Sequence, residues 1–520
     1  MPSRQLPARD VTPLEALLVV FAVAVGVAAL ARRVGVPYPT FLAIGGALLA
    51  FVPGFPTIAI EPDMVLALFV APILLDAAHK TSLRDLKINR APVLSLVLVA
   101  VGVTTVAVAI VVRTLVPGMP WAAAIALGAL LAPPDAVSAM AILRNLRPPR
   151  RVSMILEGES LLNDASALII YRLAVSAVAV GGFSLWGVAP AFLLSVGGAI
   201  LLGPALGWLA VRTLARIGHV ESVIILQFVS TYAVWVIADR LQISPVLTVV
   251  LYGFVIGRHA PARTPVAARV SSNAVWEAAV FALDVLAFVF IGMQLRPVVA
   301  GMSAGSLAGE LATAGAVLLT VILVRFAWVV THYAFHAAAR RRSGRDMTGA
   351  TLGSAVLISW SGMRGIVTLA AALALPADFP FRSTILLSAF VVVLGTLLLQ
   401  GLTLGPLIRV LGLAQDDSVE REIELARGEA LAAALGPLQG TAEEESVRRE
   451  FAARLQRSPS ATEAAGASAS QAARVDAIRR ARSALQVLRE RGTIGDDTFH
   501  LVQDDIDRLE MAGTPRARGW

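Results

Sequence analysis

The stretch EGESLLNDAS, residues 157–166, sets three carboxylic acids at the start of a long apolar run. On a helix, Ser160 lies one turn below Asp164, and Glu159 lies one turn below Asn163, so oxygen-bearing side chains share one region of its surface. An ionisable side chain inside a membrane helix costs about 2.5–3.5 kcal/mol on insertion scales and marks a functional site by default. Because desolvation favours the neutral acid, Asp164 could hold a proton near neutral pH or give it up to a cation.

A second acid, Asp135, follows Pro133 and Pro134 inside another apolar run. Two prolines remove two backbone donors and break a helix. Carbonyls freed at membrane depth must be satisfied again or line a cavity, and secondary transporters build cation sites on such broken helices. Proline kinks without a function also occur in membrane helices, so this segment alone leaves both interpretations open.

A counterpart lies in ISWSGMRGIVTLA, residues 358–370, where Gly362 and Gly365 flank Arg364. The two interrupted runs are the fifth and twelfth along the chain, so they cross a membrane in opposite directions. Paired interruptions in opposed halves indicate an inverted-repeat transporter. We expect Arg364 to pair with Glu159, because a lone buried arginine costs far more than a paired one.

Three more ionisable residues fall inside apolar runs, namely Asp76, Asp284 and Arg325. Asp76, in ILLDAA, is a candidate ligand of a cation. Asp284 and Arg325 are equally well explained as polar contacts between helices. Carboxylate, carbonyl and hydroxyl oxygens suit hard cations, so Asp164, Asp135, Asp76 and Ser160 form the predicted cation-binding set.

The elements that hold these residues are predicted to be membrane helices. Hydrophobic residues make up 57% of the 520 residues and charged residues only 15%, which a soluble core cannot accommodate. The apolar runs predict about thirteen spans. They lie near 14–31, 38–52, 63–79, 91–116, 120–143, 152–180, 186–211, 221–239, 243–257, 272–295, 310–339, 348–375 and 383–412.

Arginine and lysine gather in alternate loops, which predicts an N-terminus outside and a C-terminus in the cytoplasm. The first run is expected to remain as a span, since Arg32 and Arg33 follow it at once. These loop charges account for the basic balance without a nucleic-acid partner. The absence of cysteine excludes disulfides and thiolate metal sites.

Residues 1–413 are therefore predicted to form a membrane domain and residues 414–520 a helical cytoplasmic tail, with a linker near 457–471. The tail contains no phosphate-binding loop and no cluster of metal ligands. A partly ordered tail is the simpler interpretation, and a regulatory or dimerising role is the alternative. Any ligand of the tail is unidentified by the sequence.

The stretches GESLLNDA (158–165) and SGMRGIVTLA (361–370) resemble the sodium/proton antiporters of the monovalent cation:proton antiporter family, in its electroneutral exchanger branch. The resemblance covers roughly residues 34–410 and includes weaker matches near 35–49 and 73–78. Asp135 and Asp164 are 29 residues apart, the separation usual in this family.

The resemblance implies an all-α fold of about thirteen helices in inverted repeats with broken crossing helices, and a homodimer. The short loops and the lack of targeting extensions predict a bacterial inner membrane. The resemblance implies that Asp164 is the carboxylate shared by proton and cation, with Asp135, Asp76 and Ser160 shaping the site. Asn163 stands where electrogenic relatives carry a second Asp, which predicts one proton exchanged per cation. It also implies a Glu159–Arg364 ion pair, and no cofactor beyond the transported ions.

One departure concerns the cation. The family often has Thr-Asp-Pro where this chain has Pro134-Asp135-Ala136, so a hydroxyl is missing near the ion. Sodium, with lithium, is the predicted cation, and potassium/proton exchange is the alternative. Outside exchange, a channel or cation sensor on the same scaffold stays open, whereas an intramembrane aspartyl protease lacks its Gly-x-Gly-Asp signature here.

Overall fold

The structure is a computed structural model in which every regular element of the described residues is a helix, as the sequence predicts. The described residues are 13–34, 38–52, 62–143, 148–180, 185–217, 219–261, 263–300, 304–342, 351–413, 418–435 and 468–513.

The first half of the membrane region contains eight labelled helices within these ranges. Helices α3 and α5 each contain a π-helical turn, a distortion that is frequent at functional sites. The bounds are α1 Pro13–Val34, α2 Tyr38–Ala50, α3 Pro62–Val65 continuing through the π turn Leu66–Val70 to Ala71–Lys80, α4 Leu83–Ile88, α5 Arg90–Leu94 continuing through the π turn Ser95–Ala100 to Val101–Leu115, α6 Trp121–Leu131, α7 Ala136–Leu143 and α8 Arg150–Val180.

The second half of the membrane region also consists of helices in the described ranges, and the tail helices follow it. The bounds are α9 Leu185–Leu214, α10 Val220–Arg240, α11 Pro245–His259, α12 Val266–Met293, α13 Leu295–Ala300, α14 Ala304–Arg342, α15 Leu352–Trp360, α16 Ile366–Leu373, α17 Arg382–Leu411, and in the tail α18 Ser418–Leu435, α19 Ser468–Glu490 and α20 Asp496–Gly513.

The membrane helices pack in two groups, each drawn from both halves of the chain. In the first helix group α2 packs on α12, α3 on α11, α9 on α11, and α10 on α11 and α12. In the second helix group α5 packs on α6, α6 on α8, and α14 on α5, α15 and α17. The short helix α4 connects the groups along the chain. An inverted repeat predicts this interleaving of the two halves.

Small residues bring α2 and α12 into backbone contact within the first helix group. A Cβ added to Gly46 would lie 2.1 Å from the carbonyl oxygen of Val289, and one added to Gly292 would lie 2.1 Å from that of Ala43. Only glycine fits at such distances. Close packing of backbones through small residues is a common way for membrane helices to associate without a hydrophobic driving force.

Each of the thirteen predicted apolar runs coincides with a helix or a pair of helices. Within the described ranges, seven helices are long and apolar enough to cross a membrane by length and composition, and four further apolar helices are shorter. The number of spans therefore stays a prediction. Of the predicted linker, residues 457–467 lie outside the described residues, while 468–471 already belong to α19.

Candidate functional site

Both predicted helix breaks are confirmed. Helix α6 ends at Leu131 and α7 begins at Ala136, and α15 ends at Trp360 while α16 begins at Ile366. The two non-helical segments touch, because the backbone N–H of Asp135 donates to the carbonyl of Met363 across 2.6 Å. The interruptions thus form one crossing inside the second helix group, with an acid at its centre.

Arg364 satisfies the backbone that the first break exposes. Its Nε donates to the carbonyl of Leu131 (2.8 Å) and its Nη2 to that of Ala132 (3.2 Å), while its Nη1 donates to Gly362. The last carbonyls of a helix lack intrahelical partners and carry the negative end of the helix dipole. A buried guanidinium there meets both needs, so Arg364 holds the end of α6 in place.

The predicted ion pair between Glu159 and Arg364 is wrong, because Glu159 pairs with a different arginine, Arg325. The Glu159 carboxylate accepts two hydrogen bonds from Arg325, at 2.6 Å to Nη1 and 2.8 Å to Nη2. Arg325 also donates to the carbonyl of Ile358 at the end of α15. The physical reason is that the Arg364 guanidinium is already engaged by carbonyls, whereas α14 brings Arg325 directly against α8 and α15.

Asp164, on α8, faces the break beside Asp135. Asp164 is buried, 8% exposed, and the like charge of Asp135 acts on it directly. Ser138, in the first turn of α7, donates to Asp135 Oδ2 at 2.7 Å. Sequence reasoning missed Ser138, although its position three residues after Asp135 on a helix was a usable signal.

Asn163 connects α8 to the break and presents an oxygen toward it. Its Nδ2 donates to the carbonyl of Pro134 at 3.3 Å. Its Oδ1 is buried, and no hydrogen-bond partner for it exists among the residues that the structure describes. Since buried polar atoms are normally satisfied, an unpartnered carbonyl oxygen beside two carboxylates suits a bound cation. Ser160 is half-buried one turn before Asp164.

Asp76, a further member of the predicted cation-binding set, lies on α3 in the first helix group. It stands six residues after the π turn that ends at Val70, and its carboxylate pairs with Lys80 at 2.9 Å. Helix α3 packs against α8, the helix that carries Asp164. A role for Asp76 as a ligand therefore requires Lys80 to release its carboxylate.

The glycine at the second break is required by contact with the acid. A Cβ added to Gly365 would lie 2.2 Å from Asp135 Oδ2. Gly365→Ala should therefore displace Asp135. Overpacking of this kind costs about 1–3 kcal/mol, and 1.4 kcal/mol is a factor of about ten, so apparent cation affinity should fall about tenfold. The apparent cation affinity is measured by titrating the cation and following proton exchange in vesicles.

Gly102→Ala is the matched control, because a Cβ on Gly102 meets nothing within 4 Å. Equal affinities of Gly365→Ala and Gly102→Ala would show that the close approach of Asp135 to the second break has no part in binding.

The chain was then compared with known proteins. The family model for the transmembrane part of sodium/hydrogen exchangers matches residues 19–410. A Mycobacterium tuberculosis protein named an uncharacterised Na⁺/H⁺ exchanger is 31% identical over 520 aligned residues, covering 95% of this chain and 94% of that protein. A Bacillus pumilus sodium, potassium, lithium and rubidium/H⁺ antiporter is 30% identical over 388 residues, covering 71% of this chain and 57% of that protein.

Among solved structures, the chain is similar to the sodium proton antiporter MjNhaP1 of Methanocaldococcus jannaschii. The TM-score is 0.57 at 18% identity, and the match covers 77% of this chain and 98% of that one. At this identity the likeness concerns the fold alone.

Proposed function

Because the chain belongs to the sodium/hydrogen exchanger family, we propose that it exchanges one monovalent cation for one proton across a membrane, with Asp164 as the carboxylate that holds either. The observation that carries this proposal is the buried Asp164 beside the partly buried Asp135, at a break where the Asn163 Oδ1 is unpartnered within the described residues. Carboxylate, amide and freed carbonyl oxygens together make a shell that suits an alkali cation.

The charges around the site support a one-to-one exchange. Glu159 and Arg325 neutralise each other, and Arg364 offsets one of the two acids, Asp135 and Asp164. Fully ionised, this set of five carries one uncompensated negative charge. One proton or one monovalent cation removes that charge, so either bound state is neutral. A bare buried charge is penalised in the membrane, so only the loaded site is free to change sides.

The competition between proton and cation needs no chemical step and no ATP. When the site faces a compartment rich in the cation, the cation displaces the proton from the Asp164 carboxylate. The site then turns to the other side by movement of the second helix group, which holds both breaks, against the first. There the proton replaces the cation. Asp76 stays a proposed outer ligand, reached when Lys80 releases it.

We propose sodium as the main cation, and lithium as a second one. The printed name of the Bacillus pumilus relative includes potassium, so potassium/proton exchange is the competing form of the same function. The alternating loop charges support a cell-membrane location with the tail in the cytoplasm, and we propose a homodimer. A cation sensor or channel on this scaffold would bind the cation without turning over a proton.

Inverted vesicles from cells that lack their own antiporters test the proposal. An acid-inside pH gradient is imposed, the membrane potential is clamped, and sodium, potassium or lithium is added in turn. We expect sodium to dissipate the gradient. If potassium alone dissipates the pH gradient, the protein is a potassium/proton exchanger. No response to any cation between about pH 6 and 9, with the protein inserted and folded, would contradict exchange and favour the sensor.

A further inference from the structure

Three helices of the tail pack together and contact one end of the membrane region. Helices α18, α19 and α20 share a hydrophobic core separate from those of the membrane helices. Close packing comes from small residues, since Ala426 and Ala430 of α18 lie buried against Ala477 and Ala481 of α19. Phe499 of α20 fills the remaining space. We call these three helices the tail bundle.

Helix α20 attaches the tail bundle to the first helix group. Asp507 is fully buried and forms an ion pair with Arg269 of α12, and Asn273 of α12 donates to Asp504 at 3.3 Å. Arg489 of α19 donates to the carbonyl of Gly257 in α11 at 2.9 Å.

The same attachment reaches α3, the helix that carries Asp76. The rings of His79 and His500 stack with their centroids 5.1 Å apart. The hydrogen bonds of Asp507 and Arg489 involve charged groups, and such bonds are about twice as strong as neutral ones. They hold the tail bundle firmly to the first helix group.

Helix α18 attaches the same bundle to the second helix group. The Glu422 carboxylate is only 10% exposed and forms ion pairs with Arg150, the first residue of α8, and with Arg84 of α4 at 3.1 Å. Arg150 also pairs with Asp85 at 2.9 Å. The backbone N–H of Leu83 donates to Asp496 at 3.0 Å. The tail bundle therefore contacts α8, which holds Asp164, and α4, which connects the two groups.

The bundle also contacts the N-terminal end of α8, the helix that carries Asp164 further along. Glu157, Ser160 and Asp164 are spaced three and four residues apart, so they lie along one face of α8. Asp497 of α20 lies opposite Glu157. Burial, and next the charge of Glu157, raise the pKa of Asp497 to about 7.

We propose that the tail bundle is an autoinhibitory strap, which ties the first helix group to the second through Glu422 and must let go for the site to change sides. The strap rests on the proposed function, because exchange needs the two groups to move against each other. A helix bundle bonded to both groups opposes that movement. Glu422 is the point at which one substitution removes two links, since its carboxylate pairs with both Arg84 and Arg150.

Glu422→Gln tests the strap in the full-length chain. The substitution keeps the size of the side chain but removes its charge and both ion pairs. We expect exchange in vesicles to become about fivefold faster, because two partly buried pairs are lost from the strapped state only. Glu424→Gln is the matched control on the same helix, since Glu424 is exposed. An unchanged or slower rate for Glu422→Gln would overturn the proposal.

Cross-linking gives a second test that does not depend on weakening the tail. The chain has no cysteine, so introduced pairs react alone. Asn273→Cys with Asp504→Cys joins the bundle to the first group, and Arg150→Cys with Glu422→Cys joins it to the second. A reducible bifunctional thiol reagent bridges each pair. We expect either bridge alone to leave exchange intact, both together to stop it, and reduction to restore it.

The outcomes separate the strap from the function on which it rests. Exchange that persists when both bridges are closed overturns the strap and leaves the exchanger intact. A lack of exchange in the unbridged, reduced protein, with the wild type inactive in the same vesicles, overturns the proposed function and the strap with it.

Discussion

Asp164→Asn abolishes cation-driven dissipation of a pH gradient, down to the background of vesicles without the protein. Asparagine has nearly the shape of aspartate, but it neither gains nor loses a proton in this pH range. The side chain of the variant can therefore hold neither the proton nor the cation in place of the Asp164 carboxylate. The site would keep a permanent neutral group beside Asp135, and the core charge would no longer depend on proton or cation. The rate of gradient collapse in inverted vesicles measures the effect.

Asp239→Asn is the matched control for this substitution. Asp239 forms an exposed ion pair with Arg172, with both side chains about half exposed, so its loss should leave exchange near the wild-type rate. Gradient collapse by Asp164→Asn at a rate comparable to Asp239→Asn would show that another group carries the proton.

Glu159→Gln destabilises the membrane domain strongly. The Arg325 guanidinium is 4% exposed and has Glu159 as its acidic partner, so the substitution leaves a buried positive charge with carbonyl contacts only. Removing one partner of a buried pair costs about 3–5 kcal/mol. We expect a large fall in the thermal unfolding midpoint of the detergent-solubilised protein.

A double substitution distinguishes lost charge balance from lost shape. Glu159→Leu combined with Arg325→Met removes both charges, and replacing a whole buried pair with apolar residues is often neutral. This variant should recover most of the stability. Breaking the exposed pair with Arg172→Gln should cost less than about 1 kcal/mol. A Glu159→Gln protein as stable as Arg172→Gln would contradict a structural role for the Glu159–Arg325 pair.

Local chemistry explains which features of the site could be predicted from the sequence. Pro133 and Pro134 remove backbone donors wherever they stand, so the first break follows from residue type alone. The glycines around Arg364 marked the second break for a similar reason. The acids were recognisable because a charge in an apolar run has few explanations. The charge of Asp135 acts on Asp164 across the break, and the roles of the two acids in cation binding stay predictions.

Features set by packing between distant helices could not be predicted in the same way. The choice between Arg325 and Arg364 as the partner of Glu159 depends on how α14 meets α8 and α15, which no local pattern encodes. The contact of Asp135 with Gly365 depends on the depth at which the breaks cross.

The docking of the tail was beyond sequence reasoning for another reason. Glu422 stands in a mixed-charge helix whose pattern is equally typical of a solvated surface. Nothing in that pattern distinguishes it from its exposed neighbour Glu424, and only the fold brings Arg84 and Arg150 to one of the two.

Proton release on cation binding tests the central claim most directly. Purified protein in weakly buffered detergent solution is titrated with sodium, potassium or lithium, and released protons are followed with a pH indicator. If Asp164 holds either load, wild-type protein releases up to about one proton per bound cation near neutral pH, and Asp164→Asn releases none. A wild type that binds the cation without releasing any proton between about pH 6 and 9 would contradict exchange by competition at one carboxylate.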